Sequence, residues 1–386
     1  MLLPYFIGRY SIRSLADFRR VLVFAAPVLP LAGLAMATEA FSGQVIVRPF
    51  FAEIFGRLPR YEGGVAVGTG KYFVDHRLGL LRANGPFSHP ILAGLFMASF
   101  LPLFFFSGLR KWPFFVGIGA SFFAFFSGSS AAYLSLMVSI GLIAFDLVQR
   151  RVSFLSWQIF IPSAAMVLAI LQTLSSDGLV SFAMRSSLNP RTAFYRRFIW
   201  EHGTESVRNH PWFGIGFQEF ERLSWMTSSV DHHWLMFAMR FGLIPAILLL
   251  LVAVAAMVLL SRAAGRQSQS DRSLFIGVAI AIFGFVLLGC TVAFFGGVQA
   301  WVYMLIGMAI SLATMAKGAA MRAPHRAGSA HGPDGRPVGN GTPMSAPTSP
   351  YQSARSRPLQ PRPVHPAVRA QLRQQVVRDN SSRSRS

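Results

Sequence analysis

The sequence predicts an all-α protein: a polytopic transmembrane helix bundle of about eight spans, with a large periplasmic loop and a disordered basic C-terminal tail. Three observations carry this reading. The 386 residues are 53% hydrophobic and only 13% charged, about half the charged fraction of a soluble domain. Several apolar runs approach or exceed the ~20 residues that cross a bilayer as a helix. The basic residues between those runs fall on alternate turns, as the excess of Lys and Arg in cytoplasmic loops requires. The weak two-residue alternation of a membrane β-barrel is absent.

Residues 1–20 form a short basic cytoplasmic segment with Arg9, Arg13, Arg19 and Arg20. The membrane domain covers residues 21–316. Its first span runs from Val21 to about Ala40, with Glu39 at the far end. An outer loop, 41–88, mixes glycines, aromatics and charges and closes with Arg82-Ala83-Asn84-Gly85-Pro86. The second span runs from about Ile91 to Ser107, and Arg110-Lys111 makes a basic turn. A short third span, Trp112 to Phe126, is broken by Ser127-Gly128-Ser129-Ser130. The fourth runs from Ala131 to Phe145, Arg150-Arg151 follows, and the fifth covers about Phe154 to Leu174.

A second outer loop, 175–231, is arginine-rich and aromatic. The sixth run, His233 to Leu260, contains Gly242-Leu243-Ile244-Pro245, which predicts a kink or an interfacial first turn. After a basic loop come spans at about Ser273–Phe294 and Val298–Met315. Residues 317–386 are rich in Pro, Ser, Gly and Arg and bury too little apolar surface to offset ordering entropy. Eight spans put every basic turn and the tail on the cytoplasmic side, and loops 41–88 and 175–231 outside.

The net charge is +21, and about half of that excess lies in the tail. The rest is largely explained by the topology, so no nucleic-acid partner is expected; membrane lipids are. Cys290 is the only cysteine, which excludes an intramolecular disulfide and a Cys-based metal site. No cofactor is indicated.

Polar residues in an otherwise lipid-like chain are functional candidates, and they concentrate between Arg185 and Leu243. Pro190 to about Asn209 reads as a helix, with Asn189 as N-cap and Pro190 at its first position. Arg197 and Glu201 stand four apart and can pair. Two readings of this helix stay open. It lies on the membrane with its arginines on headgroups, or Arg191 or Arg196 points into a cavity to hold a phosphate, for which the planar guanidinium is suited. His210-Pro211-Trp212-Phe213-Gly214-Ile215-Gly216 reads as an ordinary turn, and because it does not follow a strand a dinucleotide-binding reading fails. Asp231-His232-His233 stands where the chain re-enters the membrane. It either caps the helix, with Asp231 as N-cap, or supplies a histidine for proton transfer with a carboxylate beside it. No ligand spacing for a metal accompanies the His pair. Arg82 reads as a helix-end arginine or a second phosphate contact.

Arg82-x-x-Gly85-x-Phe87-x-His89-Pro90, Ser127-Gly128-Ser129, Arg191, His210-Pro211-x-x-Gly214-x-Gly216 and Asp231-His232-x-Trp234-Leu235 together resemble the O-antigen ligase and polymerase superfamily. The resemblance covers most of residues 70–245. It implies a metal-independent, inverting glycosyltransferase of the bacterial inner membrane. Such an enzyme would move a glycan from undecaprenyl diphosphate, on the periplasmic side, to lipid A–core or to another lipid-linked glycan. It also implies that Arg82 and Arg191 take the diphosphate, with Arg196 in reserve, and that a histidine closing the large loop activates the acceptor hydroxyl. The family's His-Asn-x-Tyr-Leu stands here as Asp231-His232-His233-Trp234-Leu235. A one-residue shift that puts the base on His232, with Asp231 as its partner, is preferred to Asp231 as the base. The family's Ser-Arg is replaced by Ser129-Ser130, which favours a polymerase-like or divergent member. About ten to twelve spans are implied, so the chain reads as short at its N-terminus. The alternatives are a polysaccharide or lipid-carrier transporter, which would place charges at mid-membrane and show internal repeats, and an inactive membrane scaffold.

Overall fold

In the computed structural model, residues 2–56, 59–62, 65–69, 74–152, 156, 157, 159, 160, 163, 166, 190–226, 229–265 and 267–327 are described. Most of the expected fifth span (154–174), residues 175–189 of the expected second outer loop and the expected tail beyond 327 lie outside them.

The described chain is helical except for two small hairpins. Helix α1 (Leu2–Ser11) precedes α2 (Leu15–Ser42), which Ser14 caps by accepting from the Asp17 amide at 3.1 Å. The first apolar helix therefore starts six residues before the expected Val21 and takes in Arg19 and Arg20. Helix α3 (Val47–Phe55) and strands β1 (Pro59–Glu62), β2 (Val65–Thr69), β3 (His76–Arg77) and β4 (Leu80–Leu81) lie between α2 and the next apolar helix, within residues 41–88. Then come α4 (Pro90–Phe105), α5 (Trp112–Ser121) with a 3-10 turn (Phe122–Ser127), and α6 (Ser130–Gln149). Helix α7 (Pro190–Asn209) has the bounds expected from the sequence. Helices α8 (His233–Phe241) and α9 (Leu243–Ala264) are separated at Gly242, with φ of 91°, where the kink was expected. Helices α10 (Gln269–Leu288) and α11 (Gly296–Ala327) complete the order.

Among the described residues, α2, α6, α9, α10 and α11 are long and apolar enough to cross a membrane. The outward faces of α2 and α9 are bare of cover, with Phe24, Leu31, Ile247, Leu248 and Leu251 all exposed. In water such surfaces would be costly; against lipid they are not. This is a multi-pass membrane protein. The second and third expected spans appear as the shorter helices α4 and α5. Helix α4 has 16 residues, about 24 Å of rise, yet Leu92, Leu95, Met97, Phe100 and Phe104 are all buried. It is the hub of the bundle rather than a lipid-facing span. Small residues let its neighbours approach: an added Cβ at Gly94 would strike Ser127 and Ala132, and one at Gly117 would strike Phe104.

The bundle has two polar ends. At one, Arg19 donates to the Ser107 carbonyl at 2.9 Å and to Asp271 at 2.8 Å. Nearby, buried Asp146 accepts from Arg150 and Trp157, and Arg150 reaches Ser273 at 3.0 Å. The start of α2, the ends of α4 and α6 and the start of α10 thus meet where the basic turns were expected to gather. The opposite end carries the candidate site. A second, smaller core of Ile199, Val207, Phe220, Met226, Leu235 and Met239 joins α7 to α8 there.

Candidate active site

The first wall is built by the β3–β4 hairpin. Leu78 (φ 54°) and Gly79 (φ 78°) both take the left-handed conformation that a two-residue hairpin turn of the primed type demands. Register pairs His76 with Leu81 and Arg77 with Leu80, so the next rung sets Arg82 against Asp75. The Arg82 amide donates to the Asp75 carbonyl at 2.9 Å, and its guanidinium pairs with the Asp75 carboxylate at 2.9 Å. Arg77, two residues along the strand, shares that face and lies 3.8 Å from the same carboxylate.

The 3-10 turn after α5 supports both arginines. The Ser127 carbonyl accepts from Arg82 Nε and the Gly128 carbonyl from Arg77, each at 3.3 Å. Gly128 has φ of 55°, and a Cβ there would lie 2.9 Å from Arg82 Cγ. This gives Ser127-Gly128-Ser129 its physical role: two acceptors and a gap through which Arg82 passes. Arg82 is only 3% exposed, and burial lowers its pKa despite the Asp75 hydrogen bond.

His89 caps α4, its Nδ1 accepting from the Ile91 amide at 3.2 Å, so the neutral ring carries its proton on Nε2. Burial first, then the Arg82 and Arg77 charges, push its pKa down to about 4.

The second wall is α7 against α8. Arg196, Ile199, Gly203 and Val207 recur at helical spacing. A Cβ on Gly203 would lie 2.8 Å from Leu235, which shows how closely the helices pass. Arg196 is thereby held near the start of α8 with a buried Nε that has no partner among the described residues. Burial lowers its pKa, the Asp231 charge opposes this, and the Arg77 charge adds to it. Arg77 therefore acts electrostatically on the second wall as well as the first. The Arg191 backbone lies in the first turn of α7; its side chain is outside the description.

His232, not Asp231, is the N-cap of α8, and its side chain makes no capping bond. Its ring lies 5.3 Å from that of Trp200. Both ring nitrogens are buried without a hydrogen-bond partner in good geometry among the described residues. Burial and the Arg196 charge lower its pKa; the nearby Cys290 backbone and Asp231 oppose this. Its neutral form, the one that can accept a proton, is favoured. Asp231 is half-buried and accepts from Ser229 at 3.4 Å. His233 is different. It is buried among Trp234, Phe237 and Phe294, and its Nδ1 accepts from the Phe294 amide at 3.3 Å. Burial holds its pKa at about 4. It is a packed structural histidine.

The His210–Gly216 stretch is a turn, as read. Ile215 and Gly216 amides donate to the Met239 and Arg240 carbonyls at 2.7 and 3.0 Å, capping the end of α8. Arg77, His89 and Glu39 were given no role in the site from the sequence. An Asp and an Arg placed symmetrically about Leu78-Gly79 is the signal that would have exposed the hairpin. No group of three or more His, Cys, Asp or Glu that could hold a metal occurs among the described residues.

The fold and site define a class: a helical multi-pass membrane protein with arginines and a neutral histidine gathered at one end. Residues 114–251 match the family model for O-antigen ligase, the family that the motifs of this chain resemble. The match runs from α5 into α9 and contains Gly128, Arg191, Arg196, Asp231 and His232. A search of curated proteins found no match. The activity that this family model describes is O-antigen ligase-type glycan transfer.

Proposed function

We propose that the protein transfers a glycan from undecaprenyl diphosphate to an acceptor hydroxyl at the periplasmic face of the bacterial inner membrane. The observation that carries this is at α7–α8, where Arg196 Nε and the His232 ring nitrogens are buried without a hydrogen-bond partner in good geometry among the described residues, and Arg196 is in electrostatic reach of Arg77. Such groups are costly unless a ligand completes them.

Arg82 and Arg77 on one wall and Arg196 on the other bind the donor diphosphate, with Arg191 as a further contact from the same helix. Their charges stabilise the negative charge that grows on the departing diphosphate. His232 accepts the proton of the acceptor hydroxyl as its oxygen attacks the anomeric carbon from the side opposite the diphosphate. The C–O bond to the diphosphate breaks, the configuration inverts, and the proton rests on His232 until release. No step requires a metal. Asp231 acts on His232 through its charge, favouring the imidazolium formed in the reaction. The acceptor is a lipid-linked glycan or lipid A–core.

The test is glycan release from a native undecaprenyl diphosphate donor by the purified chain in detergent, with chelator present. Turnover supports the reading. Elongated lipid-linked products identify a polymerase and transfer to lipid A–core a ligase. Absence of turnover from well-folded protein with both acceptors contradicts it.

A further inference from the structure

We propose that Glu39 is a positioning residue: its carboxylate holds the turn that presents Arg82, and so sets affinity for the donor diphosphate without touching it. The inference rests on the diphosphate reading above.

Glu39 lies in the last turn of α2 and is fully buried. Oε2 accepts from the amides of Asn84 and Gly85 at 3.0 and 2.7 Å. Oε1 accepts from the amides of Ile46 and Val47 at 3.0 and 3.1 Å. The four bonds fill the acceptor sites of a carboxylate, and no ion pair to Glu39 occurs among the described residues. A buried carboxylate held by amides alone performs a task that no apolar residue could.

On one side the task is to cap α3, whose N-cap Ile46 has no side chain to do so. On the other it is to hold the Asn84-Gly85 turn. Gly85 has φ of 54°, and a Cβ there would lie 2.8 Å from Met36 and 3.3 Å from the Ala32 carbonyl. Ala32, Met36 and Glu39 form one stripe of α2, and the turn lies along it. The Asn84 side chain does not share the load: it is fully buried, and both its amide atoms lack partners among the described residues. Arg82 is two residues away, its chain anchored upstream by Asp75 and alongside by the Ala83 bond to the Phe126 carbonyl at 2.9 Å. Releasing the Glu39 end frees one of three backbone anchors of the segment that carries Arg82 past Gly128.

Glu39→Gln keeps one acceptor oxygen and turns an NH2 group on two amides, so two of the four bonds fail. We measure binding of glycan-free undecaprenyl diphosphate to the full chain in detergent for wild type, Glu39→Gln, Arg82→Ala and the double variant, with melting temperature alongside. Glu39→Gln is expected to bind about tenfold more weakly, and no more weakly when Arg82 is already Ala. In turnover the loss appears in KM for the donor and in the single-turnover rate of release, and neither loss is seen when Arg82 is already Ala. Gly85→Ala disturbs the same turn with Glu39 intact and is expected to show the same dependence on Arg82; it serves if Glu39→Gln fails to fold. Wild-type binding with an unaffected variant, or a loss that adds fully to that of Arg82→Ala, overturns the role of Glu39. No binding by the wild type overturns the diphosphate reading itself.

Discussion

At the scale of the residue, three adjacent polar side chains have three separate fates. Asp231 is half-buried beside Ser229, His232 has no hydrogen-bond partner in good geometry among the described residues, and His233 is packed among aromatic rings. His232→Ala is therefore expected to lower the transfer rate by about 10²–10⁴-fold, the usual worth of a general base. Asp231→Asn is expected to cost less, because it acts only through its charge. Since the His232 pKa is lowered from 6.5, the proton-accepting form persists below that pH. The acidic limb of a kcat/KM profile should accordingly lie below pH 6.5, and Asp231→Asn should move it further down. His233 bears on stability instead. Its folded pKa of about 4 lies below the ordinary 6.5, so the unfolded chain takes up the proton first as pH falls. Its contribution is whole above pH 6.5 and is lost between 6.5 and about 4. The acid slope of the melting temperature should flatten in His233→Gln. The candidate pair Asp231-His232 was legible in the sequence from the mismatch with the family pattern. What separates His232 from His233 is which ring faces Phe294, and that depends on α10 and α11, far along the chain.

At the scale of the element, helices were read well because a 20-residue apolar run or a Pro-started amphipathic segment is a local signal. Helix α7 has its expected bounds and the α8–α9 break falls at Gly242. The β3–β4 hairpin was not read, because two-residue strands have no periodicity. It is nonetheless the device that places Arg77 and Arg82 on one face. Leu78 carries φ of 54°, which costs a branched side chain of order 1–2 kcal/mol. Leu78→Asn keeps the turn geometry and relieves that strain, so it should raise the melting temperature without lowering donor affinity. Gly128→Ala should do the reverse, because its Cβ would press on Arg82 Cγ at 2.9 Å. Donor KM is expected to rise several-fold, about the effect of 1 kcal/mol or more, while the bundle still folds. An unchanged KM would show that Arg82 does not need this gap.

At the scale of the molecule, charge sidedness and the position of the site are two views of one arrangement. The Arg19, Asp146, Arg150 and Asp271 network closes one end of the bundle, and Arg77, Arg82, Arg196 and His232 occupy the other. The basic turns expected on one side, around Arg19 and Arg150, do gather at the first of these ends, because the positive-inside bias is written in short loops. The eight-span reading did not anticipate α4 as a buried hub, since an apolar run looks the same whether lipid or protein surrounds it. The sidedness can be checked in a Cys290→Ser background. Phe213→Cys should react with a membrane-impermeant thiol reagent on intact cells, and Gln267→Cys only after lysis. The central claim is that the hairpin wall and the α7–α8 wall hold one donor between them. The most direct measurement is the single-turnover rate of glycan release for wild type, Arg82→Lys, Arg196→Lys and the double variant. Lysine keeps the charge but loses the guanidinium fork. The account predicts that each single change slows release at least tenfold, about 1.4 kcal/mol, and that the double change is not additive, because both grip the same diphosphate. Full activity in Arg196→Lys, or strictly additive losses, would contradict a shared site.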